Sequence, residues 1–150
     1  MNIKHLLAAI AALSLISCGK GKPEVPLVPE DSDYTGTVTV IYNEAPFDNE
    51  GIRVNFTPAQ DGQSASITLH QIRFVPQMPV TIDVTVPGIT IRSTTDKIFL
   101  SCERTIPLAM GGEYPRYTVT ALEGEIVGDE LTFSLNFGDY PTSFKGRKGN

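Results

Sequence analysis

The chain reads as all-β: an antiparallel up-and-down barrel of about eight strands, with no significant helix after the N-terminal leader. Three observations carry that reading. From Tyr34 onward apolar residues recur at every second position, segment after segment. Gly, Pro, Asp and Asn punctuate these segments at short intervals. No connection is long enough for the right-handed crossover that parallel strands require.

The first 17 residues stand apart as a lipoprotein signal. Met1 to His5 carries one charge, Lys4, and Leu6 to Ile16 is an apolar run too short to span a bilayer as a helix. Leu15-Ile16-Ser17-Cys18 ends the run as a lipobox, which marks Cys18 for a diacylglyceryl thioether and makes it the first residue of the mature protein. Residues 18–33 form a tether. Pro23, Pro26 and Pro29 among charged and small residues favour extended backbone without internal hydrogen bonds. Residues 34–150 are the barrel domain.

Tyr34, Val38, Val40 and Tyr42 share one face of the first strand, opposite Thr35, Thr37 and Thr39. After a loop containing Pro46, Asp48, Asn49 and Gly51, the alternation resumes at Ile52, Val54 and Phe56. Asp61-Gly62 marks a type I′ hairpin turn. In Ser66 to Val75 the phase slips, so a β-bulge near His70-Gln71 is needed to bring Ile67, Leu69, Ile72 and Phe74 to one side. Val80, Ile82, Val84 and Val86 continue, and Pro87-Gly88 kinks the chain before Ile89 and Ile91. Ile98, Leu100 and Cys102 precede the longest connection, Arg104 to Arg116. Tyr117, Val119 and Ala121 then change parity to Leu122 and Ile126, Gly128-Asp129 turns the chain, and Leu131, Phe133, Leu135 and Phe137 alternate with polar residues. Lys145, Arg147 and Lys148 read as a solvated C-terminal tail. Bulges and Pro-Gly kinks bend a sheet until its edges meet, which favours a closed barrel over an immunoglobulin-like sandwich; the sandwich also calls for a core tryptophan, and the chain has no Trp.

Composition narrows the chemistry. The formal charge is −5, and removal of Lys4 with the leader makes the remainder more acidic still, about −6, so nucleic acid is not an expected partner. With Cys18 acylated, Cys102 is a lone thiol and fits a small buried side chain better than a nucleophile, since no motif joins it to His70, the one histidine beyond the leader. No metal centre is expected from His70, Cys102 or the carboxylates of Glu30, Asp31 and Asp33, which lack the spacing of a calcium loop. Glu123 and Glu125 read as a solvated strand face rather than a glycosidase pair. Gly111-Gly112 lacks the Lys-Ser/Thr and helix of a phosphate loop. No cofactor is expected, and the chain does not read as an enzyme.

Tyr34-Thr-Gly-Thr-Val-Thr-Val, Val80-Thr-Ile-Asp-Val-Thr-Val-Pro-Gly-Ile89 and Leu122-Glu-Gly-Glu-Ile-Val-Gly-Asp-Glu-Leu-Thr-Phe-Ser-Leu-Asn136 resemble the calycin-like β-barrel lipoproteins of Gram-negative gut bacteria. The likeness covers roughly Asp33 to Gly138 and implies a lipocalin-related eight-stranded barrel, with no catalytic residues to carry over. The chain departs from lipocalins in having no Gly-x-Trp near the first strand and no C-terminal helix. In lipoproteins of this kind an acidic run after the cysteine accompanies surface display. Its absence from Gly19-Lys20-Gly21-Lys22 implies an outer-membrane anchor facing the periplasm.

Two classes of function follow. In the first, the anchored barrel binds a small apolar or amphipathic ligand, with Tyr34, Tyr42, Phe56, Phe74 and Phe133 lining a pocket and Leu108 and Met110 at its mouth, as a mobile flap or as a plug. In the second, a filled barrel is a structural or protein-interaction module of the envelope. A hollow interior favours the first and a packed one the second; the sequence identifies no protein partner.

Overall fold

The structure, a computed structural model, describes residues 25–149; the leader and Cys18 lie outside them. Ten strands follow one another: β1 (Ser32–Tyr42), β2 (Ala45–Pro58), β3 (Ser64–Ile72), β4 (Ile82–Ser93), β5 (Ile98–Thr105), β6 (Leu108–Ala109), β7 (Gly112–Glu113), β8 (Val119–Val127), β9 (Glu130–Phe137) and β10 (Tyr140–Lys148). A single 3-10 turn, Pro115–Tyr117, precedes β8.

Eight of these strands close on themselves. The order around the wall is β3-β2-β1-β10-β9-β8-β5-β4, with β4 returning to β3, and every pairing is antiparallel. The predicted all-β, up-and-down, eight-stranded barrel is therefore the observed one. The short β6–β7 hairpin is an addition to it. β4 pairs with β5 only over Thr90–Ser93 and Ile98–Ser101; farther along, where β5 has turned away, β6 takes its place opposite Val84 and Thr85.

The phase slips lie where alternation breaks. Gln71 adopts φ 57°, and the register shift between Leu69 and Ile72 turns Ile67, Leu69, Ile72 and Phe74 into the core together. Gly88 (φ 70°) does the same between Val86 and Ile89, and Ala121 (φ 54°) between Val119 and Leu122.

Several sequence expectations are corrected. The loop assigned after Tyr42 is the first half of β2, because Asn43 and Glu44, both at positive φ, make a two-residue turn and Ala45 already pairs with Tyr42. Asp61-Gly62 is not a type I′ turn, since only Gly62 has positive φ. The Asp61 carboxylate accepts from the N–H groups of Gln63 (2.8 Å) and Ser64 (3.2 Å) and so shapes a longer loop. Val80 lies outside β4 and is 62 % exposed. The supposed basic tail is β10, a strand inside the wall between β1 and β9. Its inward positions are Thr142, Phe144 and Gly146, too weakly apolar to register as alternation. Ser32 and Asp33, assigned to the tether, pair with Phe56 and Asn55 in β1.

The interior is one continuous apolar cluster that includes Tyr34, Phe56, Phe74, Phe133, Phe137 and Phe144, all buried. Phe133 and Phe144, opposite one another on β9 and β10, stack with centroids 5.4 Å apart. Room for them comes from missing side chains: a Cβ on Gly146 would lie 2.4 Å from the Phe144 ring, and one on Gly124 would lie 2.5 Å from Phe133 Cβ.

Candidate functional site

The two ends of the barrel differ. At one lie the chain's entry, the loops 59–63 and 94–97, and the turn at Gly128-Asp129; at the other lie the turn at Asn43-Glu44, the loop 73–81, the connection 106–118 and the turn at Gly138-Asp139.

Four of the five tyrosines gather at the second end. Tyr42 closes β1, Tyr140 opens β10, Tyr114 precedes the 3-10 turn and Tyr117 is its last residue. Their rings run in sequence, with centroids 6.3 Å apart from Tyr42 to Tyr140, 6.0 Å from Tyr140 to Tyr117 and 5.2 Å from Tyr117 to Tyr114. All four are half-buried, and Tyr114, Tyr117 and Tyr140 pack on the core while keeping an edge in solvent. Tyr117 stacks on the buried Phe74 at 4.2 Å, which meets Phe137 edge-on at 5.0 Å. Burial pushes the Tyr117 hydroxyl above its ordinary pKa, with Arg116 opposing and Tyr140 and Tyr114 adding to the rise.

The backbone beneath this row is held by main-chain and side-chain hydrogen bonds. Tyr114 N–H donates to Pro107 O (2.9 Å), and Gly138 N–H donates to Thr118 O (2.9 Å). In the loop 73–81, Arg73 Nε donates to Met78 O (3.0 Å) and Phe74 N–H approaches Met78 Sδ (3.1 Å), which draws the methionine down over the end of the barrel. The Arg116 guanidinium lies 5.6 Å from the Tyr117 ring centre.

The residues predicted to line a pocket are divided by the structure. Phe74 and Tyr42 belong to the tyrosine end. Tyr34 and Phe56 lie at the opposite end, beside a cleft of about 180 Å³ that they share with Leu27, Val28, Ile98 and Ile126. Burial raises the Tyr34 pKa as well, partly offset by a hydrogen bond with Ser32. Phe133 is packed in the interior against Phe144. Leu108 and Met110 neither plug the barrel nor form an unpaired flap. They sit in the paired β6–β7 hairpin, 40 % and 68 % exposed, and Ala109 is the residue turned inward. The cause is the turn itself: Met110 and Gly111 both have positive φ, which fixes a tight hairpin and sends the odd-numbered Ala109 to the wall. Because β6 runs antiparallel to the start of β4, the Met110 tip points toward the tyrosine end.

Sequence reasoning missed Tyr114, Tyr117 and Tyr140 as a group. Their signal is sequence position: each stands beside a connection at the same end of an up-and-down meander, so counting strands with the correct β10 would have put them together. It also missed the pair His70 and Asp83, whose Nδ1 and Oδ2 lie 3.4 Å apart in an outer cleft of about 500 Å³ beside the β3 bulge. Clefts of about 350 and 420 Å³ follow the outer face of β1, β10, β9 and β8, floored by Thr39, Ser134 and Ser143. Among the described residues no three His, Cys, Asp or Glu side chains come together as a metal site.

A closed barrel of this size can in principle enclose a ligand. In this chain large aromatic side chains occupy the interior, and four half-buried tyrosines gather at one end. No family model, curated protein or solved structure matches the chain. The architecture, an eight-stranded antiparallel barrel, is consistent with a calycin-like fold in general.

Proposed function

We propose that this protein is a lipid-anchored interaction module of the outer membrane, facing the periplasm, which presents the tyrosine end of a filled barrel to a protein partner and performs no catalysis. One observation carries the reading: the interior is packed with Phe56, Phe74, Phe133, Phe137 and Phe144, while Tyr42, Tyr114, Tyr117 and Tyr140 keep an edge in solvent. Tyr, Met and Arg are the residue types that protein interfaces concentrate, because they offer large contact area with a polar tip or a soft surface. Here Met78, Arg73 and Arg116 lie at the same end as the four rings, and the exposed tip at Met110 points toward that end. Rigid rings of few torsions lose little entropy on docking, and the stack on Phe74 fixes Tyr117 beforehand.

The packed interior is also what separates this reading from carriage of a small apolar molecule inside the barrel. A photocrosslinking amino acid at Tyr140 or Met110 of the full chain, expressed in its own cell envelope, is expected to give one discrete protein adduct, and the same group at Ser134 on the outer wall none. Adducts of equal yield from all three positions, or a stoichiometric non-covalently bound lipid retained in native mass spectra beyond the acyl chains on Cys18, would overturn the proposal.

A further inference from the structure

Val25, Leu27 and Val28 lie within four consecutive positions and are 70 %, 37 % and 75 % exposed. Single exposed apolar side chains are ordinary; three in one short segment are not. The segment is held against the barrel. Leu27 N–H donates to Thr94 O at 2.8 Å, and Leu27, Val28 and Glu30 wall the end cleft together with Tyr34, Phe56, Ile98 and Ile126. Pro26 and Pro29 fix φ on either side of Leu27-Val28 and keep the backbone extended. The result is a strap laid across the entry end with an apolar edge turned outward.

We propose that this strap is a second membrane contact, in which Val25 and Val28 enter the interfacial layer of a phospholipid bilayer and hold the entry end of the barrel against it. The inference rests on the anchor reading above for its setting. Cys18 is seven residues before Val25, and seven extended residues reach at most about 25 Å, so an acylated Cys18 keeps the strap within that distance of the bilayer. Lipid attachment becomes durable when a second signal joins the first, and buried apolar side chains supply one. From Cys18 to Asp33, Lys20 and Lys22 are outnumbered by Glu24, Glu30, Asp31 and Asp33, so the contact is apolar in character and does not require anionic lipid. With the entry end on the membrane, the tyrosine end faces away from it, toward the partner.

The chain contains no tryptophan, so Val28→Trp introduces a single fluorescent reporter at an exposed position. The full chain is reconstituted in phosphatidylcholine vesicles with or without brominated acyl chains, which quench an indole lying among them. Emission from position 28 is expected to fall about twofold or more in brominated vesicles, consistent with insertion to interfacial depth. A Met110→Trp reporter is expected to be unaffected, and adding Val25→Asp to the position-28 reporter is expected to abolish the quenching. Equal emission from position 28 in both kinds of vesicle, or equal quenching at positions 28 and 110, would sink the proposal. Intact mass of the same sample separates the two readings. Acylated protein with an unquenched reporter removes the strap contact and leaves the anchor, whereas quenching of unacylated protein removes the anchor and leaves the strap.

Discussion

The side chain of Asn49 acts as a peptide group for Arg73: its Oδ1 accepts from the Arg73 N–H at 2.8 Å and its Nδ2 donates to the Arg73 carbonyl at 3.1 Å. β2 and β3 are paired from Val54 with Leu69 to Pro58 with Ala65, and beyond the bulge at Gln71 no backbone ladder joins them. The buried amide of Asn49 closes that gap and positions the loop that carries Phe74 and Met78 over the tyrosine end. Asn49→Leu keeps the branched shape of the side chain and leaves both Arg73 groups unpaired, with an expected loss of about 2–4 kcal/mol in denaturant unfolding. Amide exchange should quicken first in residues 73–81; an unchanged midpoint would mean that water replaces the amide without cost.

Gly146 is where a methyl group cannot be added. A Cβ there meets Phe144 at 2.4 Å and Thr35 O at 2.7 Å, and the second neighbour is backbone. Gly146→Ala is expected to destabilise the barrel by about 1–3 kcal/mol through forced displacement of β1 from β10. Gly149→Ala, with open space around it, should be neutral, and the thermal midpoints of the pair provide the comparison.

Alkaline stability should depend on Tyr34 and Tyr117. Burial is the main cause that raises both above the ordinary value near 10. A raised folded-state pKa means that the native state holds its proton more tightly than the unfolded chain. The associated stability is fully present below about pH 10 and is lost as pH climbs toward the folded values. Tyr34→Phe is expected to flatten this alkaline decline relative to the stability at neutral pH. An unaltered slope would show that Tyr34 ionises equally in both states.

The row of rings should separate binding from folding. Tyr140→Ala and Tyr42→Ala remove exposed edges and are expected to weaken partner binding at least about tenfold at modest stability cost. Tyr117→Ala also removes the stack on Phe74, so it should lower stability by about 3 kcal/mol as well as binding. Equal binding by Tyr140→Ala and the unmodified protein, once the partner is in hand, would exclude this end as the interface.

Much of the wall was legible because buried and solvated faces alternate strictly in an antiparallel barrel. Ile67, Leu69, Ile72 and Phe74 could be assigned to one side only by placing a bulge at His70-Gln71, and the structure puts it there. What escaped were strands whose inward residues are not recognisably apolar. Asn49 points inward because its amide is satisfied by Arg73, a relation 24 residues away in sequence. β10 turns Thr142 and Gly146 inward, and nothing in those residue types announces a core. The turn at Asn43-Glu44 was hidden because glutamate is an unusual occupant of a positive-φ position. The aromatic residues were individually visible, but their division between two ends depends on the true strand count, so the predicted pocket lining was drawn from both ends and from the middle.

The pairing of Tyr34 with Lys148 joins the first strand of the barrel to the last. A chain that emerges N-terminus first therefore cannot complete its wall until β10 has followed. Until then β1 and β9 both present bare edges, open to any extended peptide nearby. Loss of β10 would leave that vulnerable intermediate as the end state, which makes this strand the clasp of the molecule and a natural checkpoint for proteolysis.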